Sequence, residues 1–93
     1  MHAVFVVSEL EPSRRTEAET MLKTRIVPQI KQAPGFVSGT WARSPDGKEG
    51  RSIVVFESEE AARATLASVT AAMPSDGPVK ILTTSVLEVI HQV

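Results

Sequence analysis

Two short stretches of this 93-residue chain are apolar on both of their alternating faces, and that pattern constrains the fold more than any other feature. Ala3-Val4-Phe5-Val6-Val7 and Ile53-Val54-Val55-Phe56 are rich in β-branched and aromatic residues, so both read as strands. Successive side chains of a strand point to opposite sides. Val4, Val6, Val54 and Phe56 therefore form one set, and Phe5, Val7, Ile53 and Val55 form the other. Because both sets are apolar, both faces need cover, which makes these strands central ones.

The flanking segments supply cover for one face. Glu11-Pro12-Ser13 reads as a boundary with Ser13 as an N-cap. Ala18, Met21, Leu22, Ile26, Ile30 and Ala33 then recur at three- and four-residue steps, which predicts a long amphipathic helix. Arg14, Arg15, Glu19, Lys23 and Lys31 fall largely off that stripe and read as its solvated face, with Glu19 and Lys23 in the favourable i,i+4 order. Pro28 offers no N–H to the carbonyl of Thr24, so a kink is expected there. Ala33-Pro34-Gly35 ends the helix.

Phe36 to Arg43 reads as a second strand and Arg51 to Phe56 as its antiparallel partner. Between them Ser44-Pro45-Asp46-Gly47 has the signature of a type I turn. Ser58 is placed to cap a second helix, with Glu59 and Glu60 in its first turn and Ala62, Leu66 and Val69 as its buried stripe. Pro74 to Pro78 stops it, and Val79 to Val93 reads as a long last strand. The order β-α-β-β-α-β predicts a ferredoxin-like α+β domain over residues 1–93, with two helices on one face of a four-stranded antiparallel sheet. The set Val4, Val6, Val54 and Phe56 is read as the face the helices leave over. Exposed apolar surface costs about 25 cal/mol per Å², so a homodimer joined through the sheet faces is expected. Val86 to Ile90 would reach past its own sheet to the second subunit.

Composition excludes several functions. A net charge of -1 with a pI near 6.1 provides no basic excess for phosphates, so no nucleic-acid partner is expected. The chain has no cysteine, which removes thiolate nucleophiles and thiolate metal sites. Met1-His2-Ala3 carries no Lys or Arg, the apolar run after it is too short for a secretory signal, and nothing approaches a membrane span of about 20 apolar residues. The expectation is a cytoplasmic protein with no membrane partner.

Few side chains carry chemistry. Trp41, the only Trp, either stacks a flat aromatic ligand or packs in the core or subunit interface; alternation alone leaves its face open. Arg43 is a candidate anchor for a carboxylate or enolate oxygen, while Arg51 either pairs with Glu49 or is solvated. His2 and His91 are the only imidazoles, on the first and last strands. They are candidate ligand or proton-accepting groups, but two histidines alone do not complete a zinc or iron site. The strand hydroxyls of Ser38, Thr40, Thr83, Thr84 and Ser85 could orient a ligand. Asp46 and Asp76, the only Asp residues, occupy turns, so no Ser-His-Asp arrangement can be built.

Three motifs carry a resemblance. They are Ile26-Val27-Pro28-Gln29-Ile30 followed by Ala33-Pro34-Gly35-Phe36, the Ser44-Pro45-Asp46-Gly47 hairpin, and Phe56-Glu57-Ser58-Glu59-Glu60-Ala61 entering the second helix. With the element order, they resemble the antibiotic-biosynthesis-monooxygenase-like branch of the dimeric α+β barrel superfamily over nearly the whole chain. The resemblance implies a homodimer paired sheet to sheet, with a cavity beside the helices of each subunit for a small apolar or aromatic metabolite. It also implies cofactor-independent monooxygenation of an easily deprotonated substrate, the alternative being a non-catalytic ligand-binding or regulatory module. The family's oxygenases line their cavity with Asn, Trp, Tyr, His or Arg, and this chain has neither Asn nor Tyr. Phe56 stands where the family often has a Trp before the second helix, which makes it a further ligand-binding candidate. Haem-degrading relatives need an Asn on the first strand, a position that falls near Val6, and a helical His, which is absent. Neither haem nor any other cofactor or metal is therefore expected.

Overall fold

The computed structural model describes residues 1–93. Its elements follow the expected order: β1 (His2–Leu10), α1 (Arg15–Met21), α2 (Val27–Lys31), β2 (Phe36–Arg43), β3 (Glu49–Phe56), α3 (Glu59–Ala72) and β4 (Val79–Glu88). The sheet runs β2-β3-β1-β4 with every neighbouring pair antiparallel, so β1 and β3 are central. This is the ferredoxin-like α+β arrangement. No helix is long and apolar enough to cross a membrane.

Local chemistry sets the turns. Gly47 N donates to Ser44 O at 2.9 Å, and Gly47 takes φ +75°, which closes the β2–β3 hairpin. The Asp46 carboxylate accepts from the Ser44 hydroxyl (2.6 Å) and from Lys48 N (2.9 Å), and these bonds hold its pKa below the ordinary carboxylate value. Ser58 caps α3 as expected, its Oγ accepting from Ala61 N at 3.1 Å. Gly35, at φ +81°, lets α3 dock closely, since a Cβ there would lie 3.0 Å from the Ala61 Cβ.

The first helical stretch departs from expectation in two ways. Ser13 does not cap it: its hydroxyl donates to Glu11 Oε1 at 3.2 Å, and a 3-10 turn, Pro12–Arg14, leads into α1. Pro rigidifies that tight first turn, so no open N-cap forms. The irregularity forecast at Pro28 takes the form of a π-helical turn, Leu22–Ile26, in which Val27 N donates to Leu22 O. Pro28 gives the Thr24 carbonyl no partner, and the widened turn just before it absorbs the mismatch.

The faces are the reverse of the reading from alternation. Val4, Val54 and Phe56 pack with Ile30 and Ala62 in the core, so this set faces the helices, with Phe56 edge-on to Phe36 at 6.3 Å. The face turned away carries Phe5, Val7 and Ile53, joined through register by Leu87 (Ala3↔Leu87, Ala3↔Val55). Ile53 is 42% exposed and Leu87 46%. Strand alternation has a period but no absolute phase, and with both sets apolar only packing against the helices chooses between them.

β4 is also shorter than expected, ending at Glu88 rather than Val93. Its partner β1 begins at His2, opposite Glu88, where the ladder register ends. Val89 N still donates to Met1 O at 3.0 Å, and Gln92 Nε2 then donates to Ser38 Oγ (3.3 Å) on β2. Residues 89–92 thus cross the end of the sheet from one edge strand to the other. Ala3 and Val55 at that end are buried although they face away from the helices.

Candidate functional site

A cavity of about 560 Å³ lies between the helix face of the sheet and the helices. The strand register explains it. On this face the rows run Val4↔Val54↔Gly39, Val6↔Ser52↔Trp41 and Ser8↔Gly50↔Arg43, so toward the hairpin end the central strands carry the small residues Ser52, Ser8 and Gly50. Leu22, Ile26 and Ile30, at four-residue steps through the π turn, form the opposite wall, with Leu66 and Val69 of α3 beside them. Small side chains beneath a rigid helical roof leave space that a bulkier set would fill. The volume falls in the range of small-molecule pockets.

Trp41 lies on this face and lines the cavity, which resolves the orientation that alternation left open. Its indole leans back over Gly39: a Cβ at that position would come within 2.6 Å of Cη2 and 2.8 Å of Cζ3. Glycine at 39 is thus what lets the ring lie along the strand. Gly39→Ala should displace the indole and change its fluorescence emission and near-UV dichroism, while the far-UV spectrum stays native. Unchanged Trp41 spectra would show that the ring is not held there.

Arg43 also lines the cavity, two residues along the same strand. Its Nη1 donates to Glu19 Oε1 at 2.6 Å, joining β2 to α1. The expected Glu19–Lys23 pair is replaced by this contact, because the helix packs with Glu19 toward the sheet. The Arg43 hydrogen bond and charge, with smaller effects from Lys23 and Arg15, hold the Glu19 pKa below its ordinary value. Such a depressed carboxylate favours the folded state above its unfolded pKa, and that contribution is lost as pH falls through the folded value.

The other candidates separate. Phe56 is 1% exposed and belongs to both the core and the cavity lining. His2 lies outside the lining; its Nε2 is 3.8 Å from Glu59 Oε1 and its Nδ1 is buried without a hydrogen-bond partner. His91 sits exposed in the tail beyond β4, also away from the cavity. None of the strand hydroxyls singled out from the sequence lines it; Ser8, Ser44, Ser52 and Thr65 do. Arg51 donates to Glu49 Oε1 at 2.8 Å. The sequence reading missed Arg15, Glu19 and Lys23 as lining residues, although their i, i+4, i+8 spacing marks one helical face.

The donor set bears on metals and haem. No three His, Cys, Asp or Glu side chains cluster to hold a metal ion. The lining offers one thioether, Met73, and no imidazole, thiolate or phenolate, so its residues do not fit a haem iron.

No protein-family model matches the chain, and no curated protein matches it. Solved structures do. HapK from Hahella chejuensis superposes with a TM-score of 0.77 at 13% identity, over 100% of this chain and 96% of HapK. MhuD, a heme degrader from Mycobacterium tuberculosis with two hemes bound in its active site, gives 0.74 at 18% identity over 100% and 99% of the two chains. A mutant of SnoaB, a cofactor-independent oxygenase from Streptomyces nogalater, gives 0.69 at 19% identity over 99% and 96%. The chain has the α+β fold of the antibiotic-biosynthesis-monooxygenase-like proteins, and at these identities the likeness is one of fold.

Proposed function

We propose that this protein is a homodimer whose subunits each hold a small, flat, apolar or aromatic molecule in the cavity beside the helices. The observation that carries this reading is the cavity itself: about 560 Å³, with Trp41 on the sheet side facing a wall of Leu22, Ile26 and Ile30. An indole presents a broad π face for stacking. MhuD, solved with hemes in its active site, supports this fold as a container for small molecules. The open sheet face supports the dimer. Every 100 Å² of apolar surface left wet costs about 2.5 kcal/mol, and a two-fold pairing covers Phe5, Val7, Ile53 and Leu87 in both copies at once.

Cofactor-independent oxygenation is the second reading, favoured by the likeness to SnoaB. In that reading the chain contributes orientation on Trp41 and exclusion of water rather than a redox centre. Glu19, the carboxylate in the lining, is a weak base because Arg43 and its neighbours hold it ionised. The substrates would then be ones that ionise with little help. Titration with anthrone, read by calorimetry and oxygen uptake, tests both readings. Binding weakened by Trp41→Phe, with oxygen consumed, supports the oxygenase; the same binding without uptake supports the module. No binding by anthrone or other flat aromatics overturns the ligand role.

A further inference from the structure

The charges around the cavity are not a sample of the whole chain. Lys and Arg number 10 against 11 Asp and Glu overall, yet the ionisable lining residues are Arg15, Lys23, Arg43 and Arg51 against Glu19 alone. Arg51 is matched by Glu49. Arg15 and Lys23 lie one helical turn before and after Glu19 and form no ion pair of their own, while Arg43 reaches the same carboxylate from β2. Three cations thus share one anion. Arg43 uses only Nη1 on Glu19, and its Nε and Nη2 bond to no other protein group.

The polarity is arranged along one axis. Trp41 sits level with Val6 and Ser52, and Arg43 level with Ser8 and Gly50, one step nearer the hairpin. Trp41 and Arg43 are two strand residues, about 7 Å, apart; the indole runs back over Gly39, so a pair of fused rings stacked on its near end spans the distance toward Arg43. An aromatic body there would carry a substituent on its leading edge toward the guanidinium. The planar fork of Arg matches a carboxylate in particular.

We propose that the cavity selects aromatic carboxylates, the ring system lying along Trp41 and the carboxylate taken by Arg43 together with Lys23 and Arg15. Glu19 opposes the incoming anion, but the cluster keeps a surplus of two positive charges. This inference names the ligand class for the cavity and rests on the reading of that cavity as a ligand site.

The test is a matched pair of probes, 2-naphthoate and its neutral analogue 2-naphthamide, titrated by calorimetry at pH 7 and low ionic strength. The natural protein is expected to prefer the acid by about tenfold, a difference of about 1.4 kcal/mol, and to lose most of that preference in high salt. Arg15→Gln with Lys23→Gln, both solvent-exposed at the margin of the cavity, should shrink the ratio of affinities to about two- or threefold, and Glu19→Gln should enlarge it. Equal binding of acid and amide by the natural protein would overturn the proposal and leave the ligand site standing. A ratio unmoved by either variant would overturn the role of the cluster. If neither probe binds, the reading of the cavity falls with it.

Discussion

Phe56→Ala is expected to lower the unfolding free energy by about 3–5 kcal/mol, the usual cost of truncating a buried aromatic. Phe56 is 1% exposed and holds together Val4, Val54, Ile30 and Ala62, with Phe36 edge-on to its ring. Its removal would join an empty volume to a cavity of about 560 Å³ already present beside it, so neighbouring side chains have little to collapse onto. Against a total of about 5–15 kcal/mol for a small domain, the loss is large. Thermal denaturation should show a midpoint lowered by about 15–25 °C. A midpoint within a few degrees of the natural protein would mean that Phe56 does not anchor the core. Val69→Ala, on the partly buried margin of the same cluster, should cost clearly less.

Ile53→Asp is expected to convert the proposed sheet-to-sheet dimer into a monomer. Ile53 stands near the middle of the open face, paired with Phe5 on one side and Thr40 on the other, and is 42% exposed in the single chain. An aspartate there stays solvated in the monomer but would be buried without a partner in a sheet-to-sheet dimer, which costs several kcal/mol per copy. Because the residue faces away from the helices, the subunit fold should survive, as far-UV dichroism would show. Sedimentation velocity at low micromolar concentration gives the answer, with Leu87→Asp as an independent substitution on the same face. A monomeric natural protein, or a variant that stays dimeric, would remove the sheet face as the interface. Ile90, on the tail that crosses the end of the sheet, is 91% exposed in the single chain.

The chain's own sequence determined the elements and most of the joints between them. A run of β-branched residues, a three- and four-residue apolar stripe, a Ser before two Glu residues, and a Pro-Asp-Gly turn each act over a few residues. The Ser58 cap and the Ser44–Gly47 turn therefore stand where local chemistry puts them. Pro28 was legible as a disruption, though not that a π turn would absorb it. Tertiary structure alone decided which side of the sheet the helices cover, because an alternation that is apolar in both sets carries no phase. Once Val4, Val54 and Phe56 take the helix side, Trp41, Arg43, Gly39, Gly50, Ser8 and Ser52 follow by register, and the cavity opens over the small residues Ser8, Gly50 and Ser52 of the central strands. Arg15, Glu19 and Lys23, a solvated face when the helix is read alone, become its charged wall only when the helix rotates Glu19 toward Arg43. The last strand ends at Glu88, where its register with β1 ends at His2.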